Sequence, residues 1–587
     1  MKRTIFVAFM LLSTFALDAN ELTESISRFI NNKPGNMPYV VDQESLFSSK
    51  MLQQFYTKRN YTPAWITKKA SEWIISDSPP WINPETLVRA NTDVPAWIES
   101  DIPVQFNANA LGKNGFILLD YIRQIDRHGL HPNDYHLSLI EKYIGKIVPF
   151  MPMDPEDMMK LDVLLTDAFL FLGLHLYYGR VDSENEGKSW KIQRKAPELQ
   201  FNVKLEEALV FNDVANALNL LAPRYRAYWL MKENLAFFLS IAGEPWPAIL
   251  TDTIVKPGES NQIIPEIRKR LIKLRYPLSD SISVNYDIDF EKRLKSFQAD
   301  WGLNADGIIG KGTLLALNSK PLKLINQLKV NMERFRWLPL KVTEKYIMVN
   351  IANYRLLMID GADTLISMRV VVGKEYRETP VFNARMTYIV FSPSWTVPPT
   401  ILKNDVIPEL KKGSDYLTKK NMKILRSDGS EILYKEINWE NISRNNFPYM
   451  VRQIPGSDNA LGKVKFMFPN SNNIYIHDTP TKGTFARDDR AVSSGCIRIE
   501  KPFELAELLL YDLPEWTSAQ IHNSMQQKKE QTVRLKTPID VILLYLTAWT
   551  DGNGRVQFRK DIYGHDEIVL NALNQKPEAE KIKIIPF

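Results

Sequence analysis

The sequence predicts a multidomain α+β chain, helical before about residue 340 and mainly β after it. Three observations carry this. At 587 residues the chain exceeds what one core sustains, about 250–300 residues. Apolar positions recur at helical spacing in stretches such as "LDVLLTDAFLFLGLHLYYGR" at 161–180. From Lys345, "KYIMVNIANYRLLMID" and "DTLISMRVVVGK" are rich in β-branched and aromatic residues and bounded by turn pairs such as Asp360-Gly361.

Taken in order, the chain opens with Met1-Lys2-Arg3 and the uncharged run "TIFVAFMLLSTFAL" from Thr4 to Leu17. This is the pattern of an export signal, and it falls short of the roughly 20 residues that cross a bilayer. Cleavage is expected after Ala16 or Ala19, with an uncleaved anchor as the alternative; in both cases the body is exported. Residues 20–255 read as a mainly helical domain. In it, 161–180 forms a long core helix that stops at Gly179, and Asp162, Asp167 and His175 argue against a membrane span. "TIVKPGES" marks a composition shift, and 256–320 reads as helix, helix, turn, helix. "PLKLINQLKVNMERFRWLPL" is helical again and is expected to return, through 321–343, to the first domain.

The β region is expected over 344–525. "TYIVFSPSWTVPPT" is a strand running into a proline-rich corner, 401–450 is a polar, helix-leaning insertion, and strands resume at "GKVKFMF" and "NNIYIHDT". The final segment, 526–587, holds "IDVILLYLTAWTDGNGRVQF", read as two strands joined at Asp551-Gly-Asn-Gly. A net charge of +6 from 74 basic and 68 acidic side chains gives no concentrated nucleic-acid footprint. "GIIGKGT" lacks the lysine and hydroxyl residue after the last glycine of a phosphate loop. "DGNGRVQFRKDI" lacks the central glycine and closing glutamate of a calcium loop.

The chain contains one cysteine, Cys496, in "AVSSGCIRIE". A lone cysteine in an exported protein implies an intermolecular bridge or a reactive thiol, with a buried inert thiol as the alternative. A reactive thiol needs a base, a group to orient that base and oxyanion donors. His128, His131 and His136, in "DRHGLHPNDYH", read as turn and capping residues rather than a metal site, since no cysteine and few carboxylates accompany them. His175 reads as a core histidine, and His522 and His565 have no informative neighbours. His477 differs. Strand alternation puts Ile474 and Ile476 on one face and Tyr475 and His477 on the other, 19 positions before the cysteine. Asp478 points to the opposite face and is a poor orienting group. Gly495 permits a tight backbone before the thiol, where amides are placed for an oxyanion. Arg498 is suited equally to a substrate carboxylate or a structural acid.

"IYIHDTPTKGTFARDDRAVSSGCIRIE" resembles the active-site signature of the L,D-transpeptidases of the YkuD type: a histidine, a spacer, then Ser-x-Gly-Cys-x-Arg. The resemblance implies Cys496 as nucleophile and His477 as proton acceptor and donor, with Ser493, Gly495 and Arg498 filling the other motif positions. Ser494 departs from the pattern, standing where many members carry a second histidine. Tyr475 and Trp395 are expected with Arg498 on the substrate side. "FSPSWTVPPTILKNDVIP" and "NFPYMVRQIPGSDNALGKVKFMFPN" resemble the large Gram-negative branch, which has a scaffold domain, a peptidoglycan-binding domain and a capping insertion. "NADGIIGKGTLLALN" resembles the end of the three-helix peptidoglycan-binding module, although Phe297 and Trp301 read as core.

The resemblance therefore implies a signal peptide at 1–19, a helical scaffold at 20–255 with 321–343, and a peptidoglycan-binding domain at 256–320. A catalytic domain follows at 344–525, capped by 401–450, and then a C-terminal extension. It also implies a periplasmic enzyme that forms 3→3 cross-links between stem peptides through a cysteine thioester and is open to carbapenems. No metal or cofactor is implied. The expected partners are donor and acceptor stems of peptidoglycan and proteins of cell-wall synthesis, with no nucleic acid. A thiol pKa lowered beside an imidazolium is expected to ease the first step. Resolution of the thioester by water, or a non-catalytic wall-binding scaffold, are the alternatives.

Overall fold

The computed structural model describes residues 19–31, 39–42, 44–66, 111–147, 153–183, 190–192, 199–339 and 343–577. Residues 1–18 of the expected export signal lie outside them. Among the described residues, no helix is long and apolar enough to cross a membrane. The chain divides into two compact units, one of 1–180, 197–224 and 573–587, the other of 181–196 and 225–572.

The first unit is helical: α1 (Ala19–Asn31), α2 (Ser49–Lys58), α3 (Lys113–Arg123), α4 (Leu137–Ile144), α5 (Pro155–Tyr178), α6 (Phe201–Val210) and α7 (Val214–Leu221). Helix α5 is its axis. The Asp154 side chain caps it by accepting from the Glu156 and Asp157 N–H groups, Pro155 occupies the first turn, and Gly179 at φ +97° ends it. Leu164, Leu165, Phe169 and Leu172 are fully buried, each worth about 1.5–3 kcal/mol of apolar burial. The two acids within this apolar helix hold extended chain. Asp162 accepts from the Ala64 and Trp65 N–H groups and the Tyr56 hydroxyl, and Asp167 accepts from the Phe47 and Ser48 N–H groups. His175 is a core histidine, as expected, paired with the Tyr135 hydroxyl at 2.9 Å.

The second unit takes in Trp190–Lys191, which pairs in parallel with Val381 and Phe382 although the sequence placed it in the helical domain, and then α8 (Arg226–Ser240), α9 (Ile264–Lys273), α10 (Ile288–Asp300), α11 (Lys311–Leu317) and α12 (Pro321–Arg336). Phe290, Leu294 and Phe297 of α10 are buried, and the Asp287 side chain caps that helix by accepting from the Phe290 N–H. Helix α12 packs on α8, a helix of the 20–255 stretch to which its sequence was expected to return, and both belong to this unit. Its Gln327 and Asn331 side chains donate to the Thr547 carbonyl and hydroxyl, and Arg334 pairs with Asp566 at 2.6 Å.

The strands that follow close on themselves. They are β1 (Lys345–Asn350), β2 (Arg355–Asp360), β3 (Asp363–Gly373), β4 (Val381–Phe391), β5 (Trp395–Thr396), β6 (Met422–Leu425), β7 (Glu431–Ile432), β8 (Met450–Gln453), β9 (Val464–Met467), β10 (Ile476–His477), β11 (Ala491–Ser493), β12 (Ile497–Ile499) and β13 (Gln531–Leu544). The main sheet runs β9-β10-β12-β3-β2-β1-β13-β4, and β4 pairs back to β9. Closure removes the unpaired edges an open sheet would carry. Strand β13 lies beyond the boundary at 525 expected from sequence, yet it pairs in parallel with β1 and antiparallel with β4. The hairpin that crosses Asp551–Gly554 is shorter than expected, joining only Ala548–Thr550 to Val556–Phe558.

The insertion also differs from its helix-leaning sequence. It has short helical turns over 399–410 but is organised by an antiparallel sheet, β7-β6-β8-β5. That sheet has its own apolar cluster, including Val406, Leu410, Ile424 and Val451, with Trp395 packed against it. The strands are two to four residues long, too short to impose a visible alternation on a polar sequence.

Candidate active site

Strand β10 lies between β9 and β12, antiparallel to the first with Lys465 opposite His477, and parallel to the second with His477 opposite Arg498. The Ile497 N–H donates to the Tyr475 carbonyl at 3.1 Å, extending the pairing back so that Cys496 comes beside Tyr475. Ile474 and Ile476 are buried, while the Tyr475 ring lies 5.6 Å from the His477 ring, so the two share a face as alternation requires. His477 itself is buried, not exposed at a strand end.

The loop carrying the thiol is braced from within and behind. Gly495 has φ +113°, and a Cβ there would sit 3.4 Å from both the Glu378 carbonyl oxygen and Ile474 Cδ1, so an L side chain would be strained as well as crowded. The Ser493 hydroxyl donates to the Cys496 carbonyl at 2.7 Å and accepts from the Gly495 N–H at 3.1 Å. Behind the loop, the Thr379 hydroxyl donates to the Gly495 carbonyl at 2.7 Å and accepts from the Gly373 N–H at 2.9 Å. The Tyr563 hydroxyl accepts from the Thr379 N–H at 3.2 Å and donates to the Gly373 carbonyl at 2.7 Å. Ser494 is exposed, and its hydroxyl accepts from Arg377, which also reaches Asp405 of the insertion at 2.9 Å.

The electrostatics correct one expectation. Burial raises the Cys496 thiol pKa, against hydrogen bonds from the Tyr475 backbone and phenol and the charges of Arg498 and Lys465. Burial and the Arg498 cation, with a further contribution from Lys465, push His477 down to about 3, against hydrogen bonds to the Asp478 and Leu461 carbonyls. The pair therefore rests as neutral thiol and neutral imidazole, not as thiolate and imidazolium. The His477 Nδ1 lies 2.5 Å from the Asp478 carbonyl oxygen. A carbonyl only accepts, so Nδ1 carries the proton and Nε2 is left as the basic nitrogen. The orienting group is thus the backbone of Asp478. Its carboxylate points elsewhere, to the Lys463 N–H and Lys482.

Among the described residues no hydrogen bond joins Cys496 to His477; the thiol donates to the Asn473 carbonyl at 3.9 Å. The expected substrate-side residues do converge. Trp395 bonds to the Tyr475 phenol, and that phenol bonds to the thiol; burial and the sulfur's charge drive the Tyr475 pKa up. Among the described residues Arg498 has no acidic partner, and its buried Nε has no hydrogen-bond partner. Sequence reasoning missed Lys465, Thr379 and Tyr563. It also missed the environment of His565, whose Nε2 lies 3.1 Å from Glu378. The alternating "GKVKFMF" could have flagged Lys465 as the polar member of a strand; nothing local marks the others. The three clustered histidines separate: His136 pairs with Asp167 and Glu44, and His128 stacks on Tyr121.

The closed sheet thus brings a cysteine, one residue ahead of β12, beside a histidine on β10. Residues 344–541 match the L,D-transpeptidase catalytic domain of the YkuD family, and the chain carries that domain. Residues 89–235 match the "Scaffold domain" and 260–317 the "Putative peptidoglycan binding domain". A protein of Haemophilus influenzae named "Putative L,D-transpeptidase" is 38% identical over 257 residues, which is 44% of this chain and 51% of the relative; the chain thus spans about half the length of that relative. Among solved structures, an L,D-transpeptidase from Xylanimonas cellulosilytica aligns at 12% identity and TM-score 0.15 over 50% of this chain and 99% of that one. One from Stackebrandtia nassauensis aligns at 12% and 0.20 over 51% and 96%.

Proposed function

We propose that this protein is a cysteine-dependent acyltransferase of the periplasm that cuts the terminal D-alanine from a tetrapeptide stem of peptidoglycan and forms 3→3 cross-links. One observation carries the reading: the thiol, one residue ahead of β12, comes beside β10, whose His477 is held by the Asp478 carbonyl so that Nε2 is its basic nitrogen.

His477 Nε2 takes the thiol proton as Cys496 Sγ attacks the carbonyl carbon joining the third stem residue to D-alanine. Because both groups start neutral, proton transfer accompanies the attack, and the hydrogen bond that carries it tightens when substrate is bound. The Gly495 N–H is engaged by Ser493, so the oxyanion falls to the Cys496 N–H, which meets no acceptor among the described residues. Such a donor contributes about 3 kcal/mol. The C–N bond breaks, the imidazolium returns its proton to the departing amine, and a thioester remains. An amine of a neighbouring stem then attacks the thioester, loses a proton to His477 and expels the cysteine sulfur, which regains that proton. Arg498, Tyr475 and Trp395 line the substrate side. The 256–320 region is the wall-binding module in this reading.

The test supplies a tetrapeptide stem with an isotopically labelled amine acceptor and weighs the products. The labelled amide dimer, absent with Cys496→Ala, is expected. Tripeptide alone would show that water resolves the thioester and that the protein is a hydrolase.

A further inference from the structure

We propose that Lys465 joins Arg498 in an anion-binding site beside Cys496, and that this site holds the free C-terminal carboxylate of the peptide being cleaved. The identity of that carboxylate rests on the function proposed above; the anion site itself does not.

Lys465 stands opposite His477 in the β9–β10 register, and Arg498 stands opposite the same residue on the other side. Two cations thus bracket one imidazole. The Lys465 ammonium lies 5.6 Å from the centre of the Tyr475 ring, and the charge of the Cys496 sulfur reaches it. Neither cation has an ion pair among the described residues, and Arg498 Nε is buried with no acceptor. The carboxylate whose field reaches Lys465, Glu530, is held by the Ser394 N–H and hydroxyl at 2.8 and 2.7 Å. Burial depresses both cations; against it Arg498 senses the charge of the sulfur, and Lys465 senses first Glu530 and then the sulfur. Two desolvated cations without an anion between them are costly unless a ligand brings one. A structural role would supply a carboxylate from the protein, as Asp566 is supplied to Arg334.

A carboxylate next to the scissile carbonyl fits this placement. On the proposed bond cleavage it belongs to the residue that departs, one residue beyond the attacked carbonyl. The protein would then discriminate a free stem terminus from one continued by a further amide.

Because Cys496 is the only cysteine, its alkylation can be read on the full-length protein without turnover. The ratio of rates with iodoacetate, an anion, and iodoacetamide, its neutral counterpart, reports anion attraction. Lys465→Met is expected to lower that ratio roughly fivefold, the residue of one unit charge at a partly solvated site, and Lys465→Arg to retain it. An unchanged ratio, or equal slowing by both reagents, would overturn the site, the latter showing that Lys465 acts only on the sulfur. In parallel, acylation by a tetrapeptide acid is expected to exceed that by its C-terminal amide, with the preference shrinking in Lys465→Met. Equal rates with acid and amide would overturn the carboxylate assignment. No acylation by either, with the alkylation ratio still falling, would defeat the proposed function and leave the anion site standing.

Discussion

Two buried histidines in this molecule have been pushed in opposite directions. His136, in the helical unit, lies between Asp167 at 2.8 Å and Glu44 at 3.3 Å. Burial works against its charge, but those hydrogen bonds carry its pKa up to about 9. His477, in the β-rich unit, is lowered by burial and then by the cations on both sides of it, and falls to about 3 although it donates to a carbonyl. Asp167 in turn serves the Phe47 and Ser48 N–H groups, so the first site is closed: each polar atom is matched and it has nothing left to offer a ligand. The second leaves a basic nitrogen and, among the described residues, two cations without an ion-pair partner. Unmatched buried polar groups are what a site for chemistry looks like before its substrate arrives.

The comparison can be broken at either end. The largest effect is expected at His477. Replacing it with Gln keeps a polar side chain but removes the base, and acylation of Cys496 by a stem peptide should fall by about 10³-fold or more, measured as thioester formation by mass. Retention of wild-type rates would remove the imidazole from the mechanism. Next is the ion pair at His136. Its folded pKa lies above the ordinary value of 6.5, so its contribution is present in full below pH 6.5 and is lost as pH rises through about 9. The shift corresponds to about 3 kcal/mol. Denaturant unfolding of the helical unit should weaken over that window, and His136→Gln should flatten the slope. An unaltered slope in that variant would assign the pH dependence elsewhere. The smallest effect is expected behind the thiol loop. Tyr563→Phe deletes the hydroxyl between Thr379 and Gly373 and should lower acylation several-fold, with a stability loss of about 1 kcal/mol. A fall in stability with unaltered acylation would reduce Tyr563 to a purely structural role.

What the sequence made legible follows from how local each cause is. Strand alternation over 474–477 and the glycine before Cys496 place the thiol, the imidazole and their shared face, because each depends on neighbours one or two residues away. The resting charge of the pair was misread because it is set first by burial and, at His477, then by Arg498 and Lys465, which reach it only through strand pairing. His136 was read as a turn residue because the nearby sequence offers it few carboxylates; its partners lie 31 positions ahead and 92 behind. The brace was invisible for the same reason, since Thr379 sits 184 positions from Tyr563 and 116 from Gly495. The capping insertion was misjudged because its sheet is made of fragments whose partners lie up to 58 residues apart, as Trp395 pairs with Gln453.

The central claim is that the lone thiol becomes a thioester with a wall peptide. Wild-type protein and Cys496→Ala should be exposed to the tetrapeptide stem, digested and mapped by mass. A mass increase equal to the stem tripeptide acyl group, confined to the fragment containing Cys496 and missing from the variant, is the predicted result. No adduct on the wild type, or the same adduct on Cys496→Ala, would contradict the account.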